Sequence, residues 1–324
     1  MITRRTLLGS MAVAASFGPA FAASSGEEWP VRPVKMISPY GPGGANDISL
    51  RILTDQFEQR AGKKFFVENK PGAGTRIANE TVARAQPDGY TFLYAAAPYA
   101  TAETLFGKLS YDPHKDLHPV AMAVLAPIFL IVNAKGPYKT LSDFIAYGKS
   151  KTEGLTFASP GAGSQPHLAA ELLFKVAGVK GINIQFRGDA TAYTELLAGR
   201  VDATLTAISA ALPHIKNGTL RVLGCASAKR SAIYPDAPTL LEQGQDVVAG
   251  GWYGFLSPAA TPAAIIDKMQ TEISHALSED SVKKKLIVQG LEAHYLPGIE
   301  FGKFIDGESA KWGNIIREAG LDQH

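Results

Sequence analysis

Three short stretches of the sequence place small residues just before a helical pattern, an arrangement that proteins often use to bind anions. They read SPYGPGGAND (residues 38–47), SPGAGSQPH (159–167) and RGDATAY (187–193). The first N–H groups of a helix have no partner within the helix, and the helix dipole is positive there. A carboxylate or a phosphate satisfies both conditions. Glycines at such turns also serve tight geometry alone, so any one stretch by itself is better explained as a structural turn, and only the three together favour binding.

Other side chains and motifs that could take part in catalysis or metal binding give weaker sequence signals. His114 and His118 lie four residues apart, but Pro113 and Pro119 beside them predict a loop rather than a metal-binding helix face. His167 in the second turn either donates to a ligand or helps to cap a helix. The chain contains no phosphate loop of the G-x-x-x-x-G-K-[ST] type, no G-x-G-x-x-G and no G-x-S-x-G elbow. We therefore expect neither catalysis nor a cofactor, and no metal.

Charged and aromatic side chains beside the turns could complete a ligand site. Arg187 could hold a carboxylate with two hydrogen bonds, or pair with Asp189 or Asp202 instead. Tyr40 and Tyr99 could form the wall of a slot, although core packing is the commoner role of such rings.

The elements around these turns alternate between strand and helix patterns, which predicts βαβ units and mostly parallel sheets. A strand pattern at 31–40 runs into a helix over 46–62 that Gly62 ends, and the alternation restarts near residue 128. Ser164 is a plausible N-cap, and so is Thr140 or Ser142 for an earlier helix. In open α/β sheets, turns of this kind lie at the carboxyl ends of the strands, where ligands bind. We expect two α/β blocks with a cleft between them and helices at the C-terminal end.

The first 22 residues have the pattern of a secretory signal peptide. Arg4 and Arg5 precede an apolar run, and Ala20-Phe21-Ala22 forms an A-x-A signal, which predicts cleavage after Ala22. The adjacent arginines leave the twin-arginine route open beside the general one. Removing this segment takes Lys+Arg from 32 to 30 against 30 Asp+Glu, so the net charge falls from +2 to 0. We therefore expect a periplasmic protein that does not bind nucleic acid. Cys225 is the only cysteine, so no intramolecular disulfide can form.

A family resemblance covers nearly the whole mature chain. The stretches that carry it follow the family's order and include VKMISPYGPGGANDISLRIL, VENKPGAG, LSYDPHKDLHPV, GAGSQPHLAAELL, LLAGRVDA, YPDAPTLLEQG and GWYGFLSPAATP. They resemble the receptors of tripartite tricarboxylate transporters, the Bug family. The resemblance implies a two-lobed periplasmic binding protein of the Venus-flytrap type (type II-like), with the ligand cleft between the lobes. One lobe would comprise residues 23–126 plus about 235–324, and the other about 127–234.

The resemblance also implies a function. Such a receptor captures a small organic carboxylate, whether a di- or tricarboxylate or an aromatic acid, and delivers it to integral-membrane permease subunits; we expect it to be a monomer. Ligand contacts carried over residue by residue are Tyr40, Gly43, Gly44, Ala45, Asn46, Asp47, Ser159, Gly161, Gly163, Ser164, His167, Arg187, Gly188 and Asp189.

Departures from the family pattern bear on the ligand. Many members carry Asp-Asn where this chain has Thr206-Ala207, and Pro98-Tyr99 stands where smaller or polar residues are common. Losing an acid and gaining a ring and a guanidinium suits a ligand without an amino group, with aromatic acids among the candidates. We therefore add Pro98, Tyr99 and Thr206 to the expected ligand contacts.

Two other functions fit the same sequence. An exported enzyme could use His167 on a carboxylate, although no activated nucleophile is evident near it. A sensory receptor that presents its ligand to a membrane kinase would use the same two-lobed fold.

Overall fold

Two mixed β-sheets, each covered by helices on both faces, form the framework of the protein. The computed structural model describes residues 29–159, 164–186 and 189–322, without the side chains of residues 189 and 190. The predicted signal peptide and the predicted contacts Gly161, Gly163, Arg187 and Gly188 lie outside the described residues. Within them, no helix is long and apolar enough to cross a membrane.

The first sheet has the strand order β11-β4-β10-β3-β1-β2. Its parallel members β1, β2 and β3 are joined through helices, and β4, β10 and β11 pair antiparallel at the other side. The elements around it are β1 Val34–Ser38, α1 Ala45–Ala61, β2 Phe65–Asn69, a 3₁₀ turn Ala73–Thr75, α2 Arg76–Ala83, β3 Thr91–Ala96, α3 Pro98–Phe106, β4 Leu117–Pro127, β10 Gly250–Pro258, α8 Ala263–Ser278, α9 Asp280–Val288, β11 Glu292–Pro297 and α10 Gly298–Glu318.

The second sheet has the order β7-β6-β8-β5-β9, with β6, β7 and β8 parallel and β5 antiparallel to both of its neighbours. Its elements are β5 Phe129–Asn133, α4 Leu141–Ser150, β6 Leu155–Ser159, α5 Gln165–Ala177, β7 Gly181–Gln185, α6 Asp189–Leu197, β8 Ala203–Thr206, a 3₁₀ turn Ser209–Ala211, α7 Leu212–Lys216 and β9 Leu220–Cys225. We call the parts built on the two sheets the first and second lobes.

The chain passes between the sheets twice, at Ile128 and between β9 and β10. The returning segment stays with the second sheet for most of its length, since the N–H of Leu240 donates to the carbonyl of Cys225 (2.8 Å). At the junction the N–H of Ala226 donates to Ile128 (2.9 Å), and that of Ala249 donates to Ala226 (2.7 Å). The two passages are thus hydrogen-bonded to each other, as in a double-stranded hinge. The exact lobe limits near residues 126 and 235 stay predictions.

Helix boundaries follow the local sequence closely. Gly62 ends α1 in the left-handed conformation (φ 63°), as its position predicted. Thr140 is the N-cap of α4 and forms a capping box with Asp143, so it fills the position for which Ser142 was the alternative. Ser164 caps α5, where its hydroxyl accepts from the N–H of His167 (3.4 Å).

The expectation of mostly parallel sheets is wrong. Among the described strands, four pairings are parallel and five are antiparallel. Three of the antiparallel pairings involve β4, β10 and β11, strands that the sequence pattern did not reveal. The other two place β5 antiparallel to β8 and β9, a direction that the pattern could not show. His118 lies in β4 opposite Ser257, so the predicted loop holds only for His114.

The apolar core continues from one lobe into the other through α10. Phe301 and Ile305 pack with Trp252 under the first sheet, whereas Trp312 and Ile316 belong to the core of the second lobe. The C-terminal helices therefore do not all lie on the first lobe, because the last turns of α10 complete the second core.

Candidate functional site

The sheet topology brings the carboxyl ends of β1, β6 and β7, the strands that precede the three predicted turns, to the junction between the lobes. The parallel strands of the first sheet end at Ser38, Asn69 and Ala96. Those of the second sheet end at Ser159, Gln185 and Thr206. Phe129, the first residue of β5 after the crossing, pairs with Thr206. The carboxyl ends of both parallel sets therefore face each other across the hinge, which is where α/β proteins bind ligands.

The first turn presents an uncapped helix N-terminus. Gly44 is the N-cap of α1 in extended conformation and offers no side chain to the first N–H groups. Gly43 before it has φ +84°, a conformation that favours glycine, with open space where a Cβ would lie. Gly43, Gly44 and Ala45 are all exposed. These N–H groups, together with the dipole of a 17-residue helix, are available to an anion from the gap.

Asp47 braces this turn from behind. Its carboxylate accepts from the N–H of Gly43 (3.0 Å), from Nε and Nη2 of Arg51 (3.0 and 2.9 Å) and from Nδ2 of Asn69 (2.9 Å). The side chain is only 3 % exposed. Burial raises the pKa of Asp47, but the hydrogen bonds from Arg51, Gly43 and Asn69 outweigh it and hold the pKa below its usual value. With both oxygens engaged in this way, Asp47 positions the turn rather than offering itself to a ligand.

Asn46 also serves the scaffold. Its Oδ1 accepts from the hydroxyl of Ser38 (2.8 Å), and its Nδ2 donates to the carbonyl of Tyr94 (3.3 Å). The residue is 2 % exposed. It therefore ties α1 to β1 and β3, and its side chain points to the core instead of the gap.

Ser38 and Asn69 are site-building residues that sequence reasoning missed. Asn69 Nδ2 donates to the carbonyl of Tyr40 (2.9 Å) as well as to Asp47, so β2 holds both ends of the turn. Each of the two residues is a polar side chain at the last position of a strand. That sequence signal could have identified them.

Tyr40 lies between Ser38 and the glycines of the first turn and is partly exposed. The side chain is 37 % exposed, yet the protein surrounding it raises the pKa of its phenol to about 12. The neutral hydroxyl can donate a hydrogen bond to a ligand at any physiological pH.

Tyr99 does not form the wall of a slot. It is 5 % exposed in the core beneath α3, and its hydroxyl donates to the carbonyl of Pro113 (2.6 Å). Pro98, in the first turn of α3, is half-buried near the carboxyl end of β3. This corrects the expectation for Tyr99, whose ring fills the first core.

In the second lobe, the described part of the site is the start of α5. His167 is 3 % exposed, its ring stacks on Phe157 (centroids 6.0 Å apart), and its Nε2 lies 3.3 Å from Oε1 of Glu171. These contacts hold the ring inside the lobe. Gln165 has a buried side-chain nitrogen without a hydrogen-bond partner in the structure.

Two further predicted residues close the ends of second-lobe strands. Ser159 is buried and donates to Oδ1 of Asn183 (2.7 Å), which ties β6 to β7. Thr206 ends β8 and is 1 % exposed. Asp189 is the first residue of α6, as its position in the third turn predicted. Among the described residues, no group of three His, Cys, Asp or Glu side chains could hold a metal ion.

Together these features are those of a two-lobed α/β protein of the solute-binding type, with an open helix N-terminus at the carboxyl ends of its parallel strands. Comparison with known proteins gives the family. Residues 49–321 match the family model described as "Tripartite tricarboxylate transporter family receptor". The chain belongs to this receptor family, whose members are periplasmic binding proteins.

Individual relatives are similar to this chain over almost its full length. BugT of Bordetella pertussis is 33 % identical over 299 residues, which cover 91 % of this chain and 92 % of BugT. A structure titled "R. palustris Rpa4515 with adipate" is 28 % identical, with a TM-score of 0.78 over 90 % of this chain and 99 % of that one. MatC from Rhodopseudomonas palustris, with bound malate, is 30 % identical, with a TM-score of 0.71 over 89 % of this chain and all of that one. The sequence-based expectations of a Bug-type receptor rather than an enzyme, and of the two-lobed α/β fold, are confirmed.

Proposed function

We propose that this receptor captures a small organic carboxylate between its lobes and delivers it to the membrane permease of a tripartite transporter. The observation that carries the proposal is the uncapped, solvent-facing N-terminus of α1, fixed in place by Asp47 and Asn69. The adipate and malate in two related structures support it, because both are carboxylates. The mature protein would act in the periplasm as a monomer after cleavage behind Ala22, exported by either of the two routes.

In this proposal, the ligand carboxylate accepts from the N–H groups of the first turn of α1. The Tyr40 hydroxyl, which its raised pKa keeps neutral, would add a further donor. The opposite lobe would contribute the N-terminus of α5 behind Ser164 and, as the family resemblance implies, Gly161, Gly163, Arg187 and Gly188. Asn46 and Asp47 support the site from within the lobe.

The residues at the carboxyl ends of the strands narrow the class of ligand. Thr206 offers no negative charge where many family members carry an acid, which favours a ligand without an amino group. The argument for an aromatic ligand depended on the ring of Tyr99. Because that ring lies in the core, it no longer supports an aromatic ligand. We therefore propose aliphatic carboxylates first, with aromatic acids as the second group to test.

Thermal unfolding of residues 23–324 with mono-, di- and tricarboxylates, aromatic acids and amino acids tests the proposal. A ligand at a hundred times its Kd stabilises the folded state by about 2.7 kcal/mol, a readily measured shift in Tm. The ligand should be recovered unchanged. If protein freed of bound ligand responds to no carboxylate, or best to a zwitterionic amino acid, the proposed ligand class is wrong.

A substitution at Gly44 tests the site itself. Gly44 has N-cap geometry (φ −81°, ψ 167°), and the nearest atom to a new Cβ is the Gly41 oxygen at 3.9 Å. Gly44→Asp should place a carboxylate on the free N–H groups, which stabilises the helix but competes with the ligand. We expect a higher Tm of the ligand-free protein and at least a tenfold loss of affinity by calorimetry.

Gly44→Ala is the matched control, since it adds a Cβ without a capping group. It should bind the ligand with an affinity within about twofold of that of the wild type, because neither glycine nor alanine has a side chain that caps the N–H groups. Equal affinities for the Asp and Ala variants would show that the anion is not held at this turn.

A further inference from the structure

Tyr253 stands at the edge of the first sheet that faces the junction between the lobes. It lies in β10 opposite Ala96, the last residue of β3, and β10 runs antiparallel to that strand. The pairing of β10 with β4 shifts register directly after Tyr253. Such irregularities are common beside ligand sites, where they re-aim a side chain.

The ring of Tyr253 lies on the face of the sheet that α1 covers. Its centroid is 5.7 Å from that of Tyr94. The hydroxyl of Tyr94 lies 3.2 Å from Oγ of Ser49 in α1, and its carbonyl accepts from Nδ2 of Asn46 (3.3 Å). A single residue, Tyr94, thus links Tyr253 to the first two turns of α1, the helix whose open N-terminus is the proposed anion site.

Small residues surround the ring on the side of the junction. The next position of β10 on the same face is Gly251, and Ala126 of β4 stands opposite that glycine. The partner on the other neighbouring strand is Ala96. A glycine and two alanines are too small to cover the ring from the space between the lobes. Tyr253 accordingly keeps part of its surface exposed, whereas Phe255, two residues further into the sheet on the same face, is fully buried.

We propose that Tyr253 is a ligand-contacting residue that favours long carbon chains. In this inference, which rests on the proposed function, the charged end of the ligand lies at the first turn of α1 and its chain lies along the ring. An aromatic ring offers a large apolar surface to such a chain. Complete burial of one methylene group raises affinity roughly fourfold. Contact with one ring covers only one side of the chain, so it should contribute about twofold for each methylene group.

The contact with Tyr94 means that the ring also supports the fold, so a loss of affinity for one ligand would not separate the two roles. Chain length separates them. A ring that served packing alone would affect short and long ligands equally, and the ratio of two affinities measured on the same variant cancels any effect that is common to both.

Tyr253→Ala tests the proposal by calorimetry with succinate, glutarate and adipate, which differ by one methylene group each. The loss of affinity relative to the wild type should grow from succinate to adipate, by about twofold for each added methylene group. Tyr253→Phe keeps the ring and should bind all three acids with affinities within about twofold of those of the wild type.

Tyr295→Ala is the matched control. Tyr295 is also half-buried, but it lies beside Ser274 of α8 and belongs to β11, the edge strand of the sheet that is farthest from β2. Its removal should leave the ratio of the adipate and succinate affinities unchanged. If Tyr253→Ala weakens the three acids equally, or if Tyr253→Phe shows the same loss, the proposal is overturned.

A wild type that binds none of the three acids would overturn the proposal as well, since the ring would then have no chain to contact. The proposed function is decided separately, by the thermal unfolding screen with the other carboxylates.

Discussion

Asp47 receives four hydrogen bonds from three residues and still exposes almost none of its surface. A negative charge directly behind an anion site is an apparent contradiction, which the guanidinium of Arg51 resolves by pairing with it in a bidentate fashion. The carboxylate then acts as a fixed acceptor that sets the position of the Gly43 N–H. The sequence pattern showed that an acid stands in the turn, but not which way it faces. That direction depends on Asn69, 22 residues further along the chain, which no local pattern connects to it.

Asp47→Asn should lower the free energy of unfolding by about 2 kcal/mol at pH 7, the usual scale for losing hydrogen bonds to a buried charge. Because the folded pKa of Asp47 lies below its usual value of 3.8, its stabilisation is present above that pH. It is lost as the pH falls through the folded pKa. Urea unfolding at pH 7 and at about pH 3 should therefore show a difference between wild type and variant that shrinks on acidification.

Asp55→Asn is the control for this measurement, since Asp55 lies on the same helix but is exposed. It should change stability by less than about 0.5 kcal/mol at either pH. A difference for Asp47→Asn that stays constant down to pH 3 would contradict an ionised brace.

At the scale of elements, helices with local signals were predictable and strands with only long-range partners were not. The helix from Leu141 to Ser150 begins at a capping box and α1 ends at a glycine, and both signals are contained in a few neighbouring residues. By contrast, β4 reads LHPVAMAVLAP, without alternation and with a proline at its third position. Pro119 is accommodated because the pairing with β10 shifts register next to it. Only the fold supplies that condition.

Thr140→Ala should destabilise the protein by about 1 kcal/mol, because it removes the side-chain cap from the N–H of Asp143. Ser142→Ala, at the alternative N-cap position, should have an effect below about 0.5 kcal/mol. Equilibrium unfolding in urea gives both values. The reverse order would mean that the helix begins two residues later in solution than the structure shows.

At the scale of the whole molecule, the lobes also meet through a contact between two turns. The hydroxyl of Ser209, after β8, donates to the carbonyl of Gln289, after α9 (3.1 Å). Gly290 beside it has φ +73°, and a Cβ there would come within 1.9 Å of the Ser209 oxygen. Two lobes with separate sheets were predictable from the restart of the alternating pattern. This contact was not, because neither turn carries a residue type that indicates a partner.

Gly290→Ala should therefore push the lobes apart and weaken ligand binding several-fold, in addition to the strain of a left-handed alanine. Ser209→Ala combined with Gly290→Ala removes the oxygen that the new methyl group meets, and it should restore affinity while the lower Tm persists. Calorimetry on the two single variants and the double variant tests this. Affinity that does not recover in the double variant would mean that backbone strain, and not contact between the lobes, causes the loss.

The position of β10 has a consequence for the order in which the protein can form. This strand lies in the middle of the first sheet, between β3 and β4, but it begins only at residue 250. While the chain is being synthesised, the second sheet is complete once residue 225 has emerged, whereas β3 and β4 still have no strand between them. The part of the molecule that begins first is thus the part that finishes last. A chain that stops short of residue 250 contains every residue of the first turn and still lacks β10, the strand that joins β3 to β4 in the sheet on which that turn is mounted.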